Sequence, residues 1–249
     1  MDTQQAPEDR DCATDPDGRE AEPRSSAVRR PWRGLLRDTL LLGGACALVL
    51  ALVNLFVAQP FGIPSGSMEG GLRIGDRVVV DKLAYRFGSR PQRGDVVVFD
   101  GRGSFVDPGA ADSGQGAGEG SGDDFVKRVI GVGGDTVVCC DTRGRLSVDG
   151  VPLDESGYLF PGDAPSAVPF SIKVPEGRLF VLGDHRSDSR DSRDHLGDPG
   201  GGFVPVDKVT GRVDWVVYPV GHWRSLDRPQ AFAVLASELR KGVGRGQQG

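Results

Sequence analysis

From Thr39 to Ala58 the chain reads TLLLGGACALVLALVNLFVA, without one charged side chain. As a helix rising ~1.5 Å per residue, about 20 such residues match the ~30 Å hydrocarbon core of a bilayer, so the pattern predicts a transmembrane anchor over 39–58. Beyond it the periodicity changes. Short β-branched runs bounded by Gly, Asp or Pro follow at close spacing, over 76–80, 95–99, 125–130, 136–139, 145–148, 178–182 and 213–218. With no helical pattern between them, they predict a mostly β domain over 59–226. Asp149-Gly150, between two apolar stretches, predicts a tight hairpin turn. In the polar end of the chain, 227–249, Ala231 to Leu239 predicts a short helix, too short to span a bilayer.

The polar segments complete the organisation. Residues 1–38 offer almost nothing to bury and predict a disordered tail with a basic end beside the anchor. Arg24, Arg29, Arg30, Arg33 and Arg37 precede the apolar run, and no Lys or Arg follows it until Arg73. That asymmetry puts the tail in the cytoplasm and the β domain outside, as a single-pass membrane protein. A removable leader is the competing interpretation of the apolar run, and Pro60 disfavours it by stiffening the backbone where a protease needs an extended strand. Gly101 to Asp124, glycine-rich and poor in apolar residues, predicts a flexible exposed insertion between two strands.

Composition narrows the function classes. A formal charge of −5 over 249 residues argues against nucleic acid as a partner. The four cysteines, Cys12, Cys46, Cys139 and Cys140, show no metal-ligand spacing with one another or with His, so no metal and no cofactor is expected. Cys139 and Cys140 are adjacent on a predicted strand, where alternation sends their side chains to opposite faces and a vicinal disulfide would be strained; two free thiols or ordinary strand residues are expected.

Chemistry is sought next to the anchor. Ser65-Gly66-Ser67 stands shortly after it, and two serines flanking a glycine suit a nucleophile on a bent loop as well as an ordinary turn. A serine that attacks an amide needs a base for its proton and donors for the oxyanion. His185, His195 and His222 are possible bases, but no Gly-x-Ser-x-Gly elbow accompanies them. Lys127 is the alternative. It sits inside the apolar strand 125–130, where it either alternates outward to solvent or points inward, and there desolvation lowers its pKa and frees a neutral amine.

Taken in order, the anchor, Pro64-Ser65-Gly66-Ser67-Met68, the run 93–99, Lys127 to Asp135 and Gly183 to Arg193 resemble bacterial type I signal peptidase, a membrane-anchored Ser-Lys protease. The resemblance implies a signal-peptidase-like β domain with a smaller inserted β subdomain, preceded by one transmembrane helix. It implies a peptide-bond hydrolase that removes signal peptides from secreted preproteins after small residues, with membrane lipid as its other partner. By motif position, Ser67 is the implied nucleophile and Lys127 the general base. The Ser67 amide and the Ser65 hydroxyl are the implied oxyanion hole. Ser189 would orient Lys127, Asp191 and Arg193 would form a supporting ion pair, and Ile63 and Val126 would line shallow substrate pockets.

The chain departs from the usual pattern at three places. Glu69-Gly70-Gly71 replaces a proline-containing turn, Gly133 replaces a proline, and His185 stands where Asn is usual. These changes predict a less rigid turn after the nucleophile. Two other readings stay open: a self-cleaving repressor with the same dyad, which would need a DNA-binding segment, and a membrane-tethered binding domain without activity.

Overall fold

The computed structural model describes residues 32–106, 123–198 and 200–246. Residues 1–31 of the tail expected over 1–38, the middle of the insertion and the last three residues lie outside that range, while 32–38 are helical. The apolar run forms α1 (Trp32–Phe56), a helix whose leucines remain exposed. It starts seven residues before the expected anchor and stops two short of it, since Ala58 already belongs to a strand. Lys82 closes the helix end by donating to the carbonyls of Asn54 and Leu55, both at 3.3 Å.

Among the described residues twelve strands follow: β1 (Ala58–Gly62), β2 (Arg77–Asp81), β3 (Val96–Asp100), β4 (Asp124–Val132), β5 (Thr136–Cys139), β6 (Ser147–Val148), β7 (Val151–Pro152), β8 (Phe170–Lys173), β9 (Arg178–Leu182), β10 (Val204–Pro205), β11 (Val209–Tyr218) and β12 (Arg224–Ser225). The larger sheet runs β1-β2-β11-β3-β4-β9-β10, with β12 also on β11; the smaller runs β7-β6-β5-β8. All their pairings are antiparallel. The smaller sheet is built from chain inserted between β4 and β9, so the mostly β fold with an inserted subdomain is the one the resemblance implies.

The expected strands form, and others appear that the pattern did not predict. β1 contains Pro60 and Gly62, which weaken any strand pattern. Proline is tolerated there because β1 is an edge strand and its missing N–H has no ladder partner to lose. At the predicted hairpin, Asp149 and Gly150 both take positive φ, 49° and 77°, as a type I′ turn between β6 and β7 requires.

Among the described residues the core falls into three clusters. One joins Phe61, Ile63, Met68 and Leu72 to Val98 and Val126 of β3 and β4. A second ties both sheets to α2 (Gln230–Gly246), whose Phe232 and Leu235 are buried against Tyr158 and Phe180. Burying each of those two side chains is worth roughly 1.5–3 kcal/mol, and the helix, expected over nine residues, runs to 17. The third cluster holds a correction. Phe105 and Val106, taken as part of an exposed insertion, are buried, with Phe105 edge-on to Phe99 and Phe125 at 5.3 Å. The first residues of the insertion therefore belong to the core. Cys139 and Cys140 also differ from expectation: they form a vicinal disulfide, not two free thiols.

Candidate active site

The loop after β1 is tied down at every turn. Ile63 donates to the Asp76 carbonyl at 2.9 Å and accepts from Gly75 at 2.8 Å, closing the loop on itself. Glu69 N–H reaches the Gly66 carbonyl at 2.8 Å, and Gly71 and Leu72 both donate to Met68. Met68 and Leu72 then bury their side chains in the first core cluster. The glycines after Met68 serve a close approach. Gly70 has φ +105°, and a Cβ there would lie 2.6 Å from the Tyr158 carbonyl; one on Gly71 would lie 2.8 Å from Asp184. The turn expected to be less rigid is thus held by contacts that only glycine permits.

This turn presents Ser67, 1% exposed, to Lys127 of β4, which is fully buried. Lys127 Nζ lies 2.8 Å from Ser67 Oγ. Of the two directions open to Lys127, the inward one is observed. Strand alternation could not decide it, because β4 is buried on both faces: Phe125 and Val129 belong to one cluster, Val126 and Ile130 to others. Ser65 Oγ is 3.5 Å from Ser67 Oγ. Ile63 and Val126 share the core cluster of Met68, each 4% exposed.

The segment after β9 runs along the other side of Ser67. Gly183 passes so close that a Cβ on it would lie 2.5 Å from the Ser67 carbonyl and 2.3 Å from Ser189 Oγ. Ser189 donates to Asp191 at 2.9 Å, and the Gly183 amide reaches the same carboxylate at 3.1 Å. Arg193 grips Asp191 with two bonds of 2.8 Å and also donates to the Arg186 carbonyl. Asp191, fully buried, therefore ties Ser189, Arg193 and the Gly183 backbone together.

A buried ionic layer supports this arrangement. Arg128, next to Lys127, makes a two-pronged pair with Asp184 at 2.7 and 2.6 Å, and its guanidinium lies 4.7 Å from the Tyr158 ring centroid. Burial disfavours the Arg128 charge, but Asp184 outweighs that and holds the guanidinium above its ordinary pKa. Arg186 pairs with Glu155 at 2.5 Å, and Tyr158 donates to the same Glu155 oxygen. Burial, and then the Glu155 charge, push the Tyr158 hydroxyl well above its usual range, so it stays a donor. Sequence reasoning missed Arg128 and Asp184. The signal was present, since adjacent cations on a strand point to opposite faces and an apolar β4 cannot offer both of them water.

The histidines are placed as follows. His195 pairs with Asp198 at 2.6 Å and stacks on Phe105. His222 bridges Asp76 and Arg73 at 3.0 and 2.7 Å. His185 stacks on Phe160 with ring centroids 3.8 Å apart and faces the loop of Ser67. Among the described residues, no group of three His, Cys, Asp or Glu side chains is disposed to hold a metal.

Comparison with known proteins identifies the family. Residues 36–218 match the family model for signal peptidase, peptidase S26. The signal peptidase I of Mycobacterium tuberculosis is 38% identical over 263 aligned residues, which cover 88% of this chain and 84% of the relative. The probable signal peptidase I of Mycobacterium leprae is 41% identical, covering 68% of this chain and 71% of its own. The probable signal peptidase I-1 of a Synechocystis species is 36% identical, with coverages of 81% and 92%.

Proposed function

Because the chain belongs to the signal peptidase family, peptidase S26, whose signal peptidase I members are hydrolases that remove signal peptides from preproteins, we propose that its cleavage is carried out by a Ser67–Lys127 dyad. The observation that carries this reading is the 2.8 Å contact between Lys127 Nζ and Ser67 Oγ, both side chains being buried. Burial favours the neutral amine, which then accepts the hydroxyl proton as Ser67 Oγ bonds to the scissile carbonyl carbon. Negative charge moves onto the carbonyl oxygen, and the Ser67 amide and Ser65 hydroxyl are the donors assigned to it. When the carbon–nitrogen bond breaks, the leaving amine takes its proton from Lys127. Water, deprotonated by the same lysine, then hydrolyses the acyl-enzyme and restores Ser67.

The remaining residues serve that chemistry. Ser189 orients Lys127, while the Asp191–Arg193 pair holds Ser189 and the Gly183 backbone in place. Ile63 and Val126 form apolar walls that admit small side chains ahead of the scissile bond. Residues Gly34–Phe56, with mean hydropathy 2.3 and no side chain buried, anchor the protein in lipid. The arginines on the N-terminal side keep that end cytoplasmic and the catalytic domain extracytoplasmic.

The test is replacement of Ser67 by Ala and, separately, of Lys127 by Ala, with cleavage of an exported precursor followed in detergent. Each is expected to lower kcat by about 10⁴-fold or more with folding retained. Full cleavage in either variant sinks the dyad. Acylation of Ser67 by a serine-directed inhibitor separates this enzyme from an inactive binding domain.

A further inference from the structure

His185 touches both peptide units that flank the nucleophile. Its main-chain N–H donates to the Ser67 carbonyl at 3.1 Å, and its ring Nδ1 lies 3.3 Å from the Gly66 carbonyl. A carbonyl oxygen can only accept, so this contact requires the proton on Nδ1. The ring is not free to turn away: it stacks on Phe160 with centroids 3.8 Å apart, and Nδ1 is also 3.8 Å from Glu69 Oε2. Glu69 itself donates its main-chain N–H to the same Gly66 carbonyl at 2.8 Å.

The Gly66 carbonyl and the Ser67 N–H are the two ends of one planar, resonance-coupled peptide. A donor on the oxygen draws charge from the nitrogen, makes the N–H a stronger donor, and fixes the plane in which that N–H points. We propose that His185 is a positioning residue for the oxyanion hole: through the Gly66 carbonyl its Nδ1–H aims and polarises the Ser67 amide, and through its own amide it fixes the next peptide. The 3.3 Å distance is long for the resting protein and shortens as the oxyanion develops, because charge on the N–H side raises the demand on the carbonyl. This inference rests on the Ser67–Lys127 reading and adds to it the device that orients the amide.

The magnitude follows from two general figures. Removing a direct oxyanion donor costs about 10²- to 10³-fold in kcat, and cooperative polarisation strengthens a hydrogen bond by roughly 10–30%. Loss of the His185 donor is therefore expected to cost roughly 2- to 8-fold in kcat. His185→Phe keeps the ring and its stack on Phe160 but has no donor. In His185→Asn, Nδ2 occupies the side-chain position of His Nδ1 and can donate to the Gly66 carbonyl.

The experiment compares steady-state cleavage of one precursor by the full chain in detergent, together with thermal melting. His185→Phe is expected to lower kcat 2- to 8-fold with KM and Tm unchanged, and His185→Asn to restore kcat to within about twofold of the unsubstituted protein. A wild-type kcat in His185→Phe, or a His185→Asn protein as slow as His185→Phe, overturns the proposal. So does a loss of kcat that is matched in both variants by a lowered Tm. Ser67→Ala, assayed alongside, separates the two levels. Cleavage surviving in it overturns the dyad and this inference together, whereas its loss beside an unaffected His185→Phe overturns this inference alone.

Discussion

Lys127 reaches Ser67 at 2.8 Å across a sequence separation of 60 residues, and it does so from inside a strand with no exposed face. A solvated lysine would be charged at neutral pH and useless as a base, whereas an enclosed one loses the hydration that favours its charge. Cleavage should accordingly decline as pH is lowered and Lys127 takes up a proton, and rise toward alkaline pH. Lys127→Arg tests the same point at fixed pH: a guanidinium keeps its proton, so kcat should fall by about 10²- to 10⁴-fold although a cation remains. A pH–rate profile that is flat from neutral to acid would argue against a lysine base.

The Arg128–Asp184 pair carries a stability prediction. Both side chains are shut off from water, so Arg128→Met leaves the Asp184 charge buried without its partner. Such broken pairs typically cost 3–5 kcal/mol, so the variant should show a much reduced denaturation midpoint. An unchanged midpoint would mean that Asp184 is neutralised or rehydrated in the folded protein.

Gly183→Ala tests how tightly the segment after β9 is held against the nucleophile. The added methyl would collide with the Ser67 carbonyl and the Ser189 side chain, 2.5 and 2.3 Å away. Since a displacement of about 1 Å in a catalytic group can cost 10²-fold, kcat for precursor cleavage is expected to drop by at least that much. Normal turnover would show that this backbone can shift without moving Ser67.

Asp100 offers a test on the acid side. Hydrogen bonds from Arg102, with help from Lys208, hold its carboxyl at about 2 instead of 3.8. A depressed carboxylate contributes stability above its unfolded value, near pH 4, and that contribution fades as pH falls toward 2. The pair is open to solvent, so the effect is under ~1 kcal/mol. Asp100→Asn should be slightly less stable than the parent at pH 6 and equal to it at pH 2, as read from urea denaturation at both values.

Some of this protein was decided locally and could be read from its residues. An uninterrupted apolar stretch must be kept from water wherever the rest of the chain goes, so α1 was visible in composition, though its ends were not. The β-branched runs and the Asp149-Gly150 turn express backbone preferences that act within a few residues, and they formed where expected. The motif order pointed to Ser67 and Lys127 through resemblance. Other features depended on what the fold brought alongside. β1 exists because β2 offers its edge, and Phe105 is buried because Phe99 and Phe125 leave room for it. The inward direction of Lys127, the partnership of Arg128 with Asp184 and the grip of His185 on the Gly66 carbonyl each depend on residues 56 to 119 positions away. Local periodicity holds no information about such distant partners. Only the packed sheet, by excluding water from both faces of β4, turns a lysine that alternation would allow to face solvent into one that faces a serine.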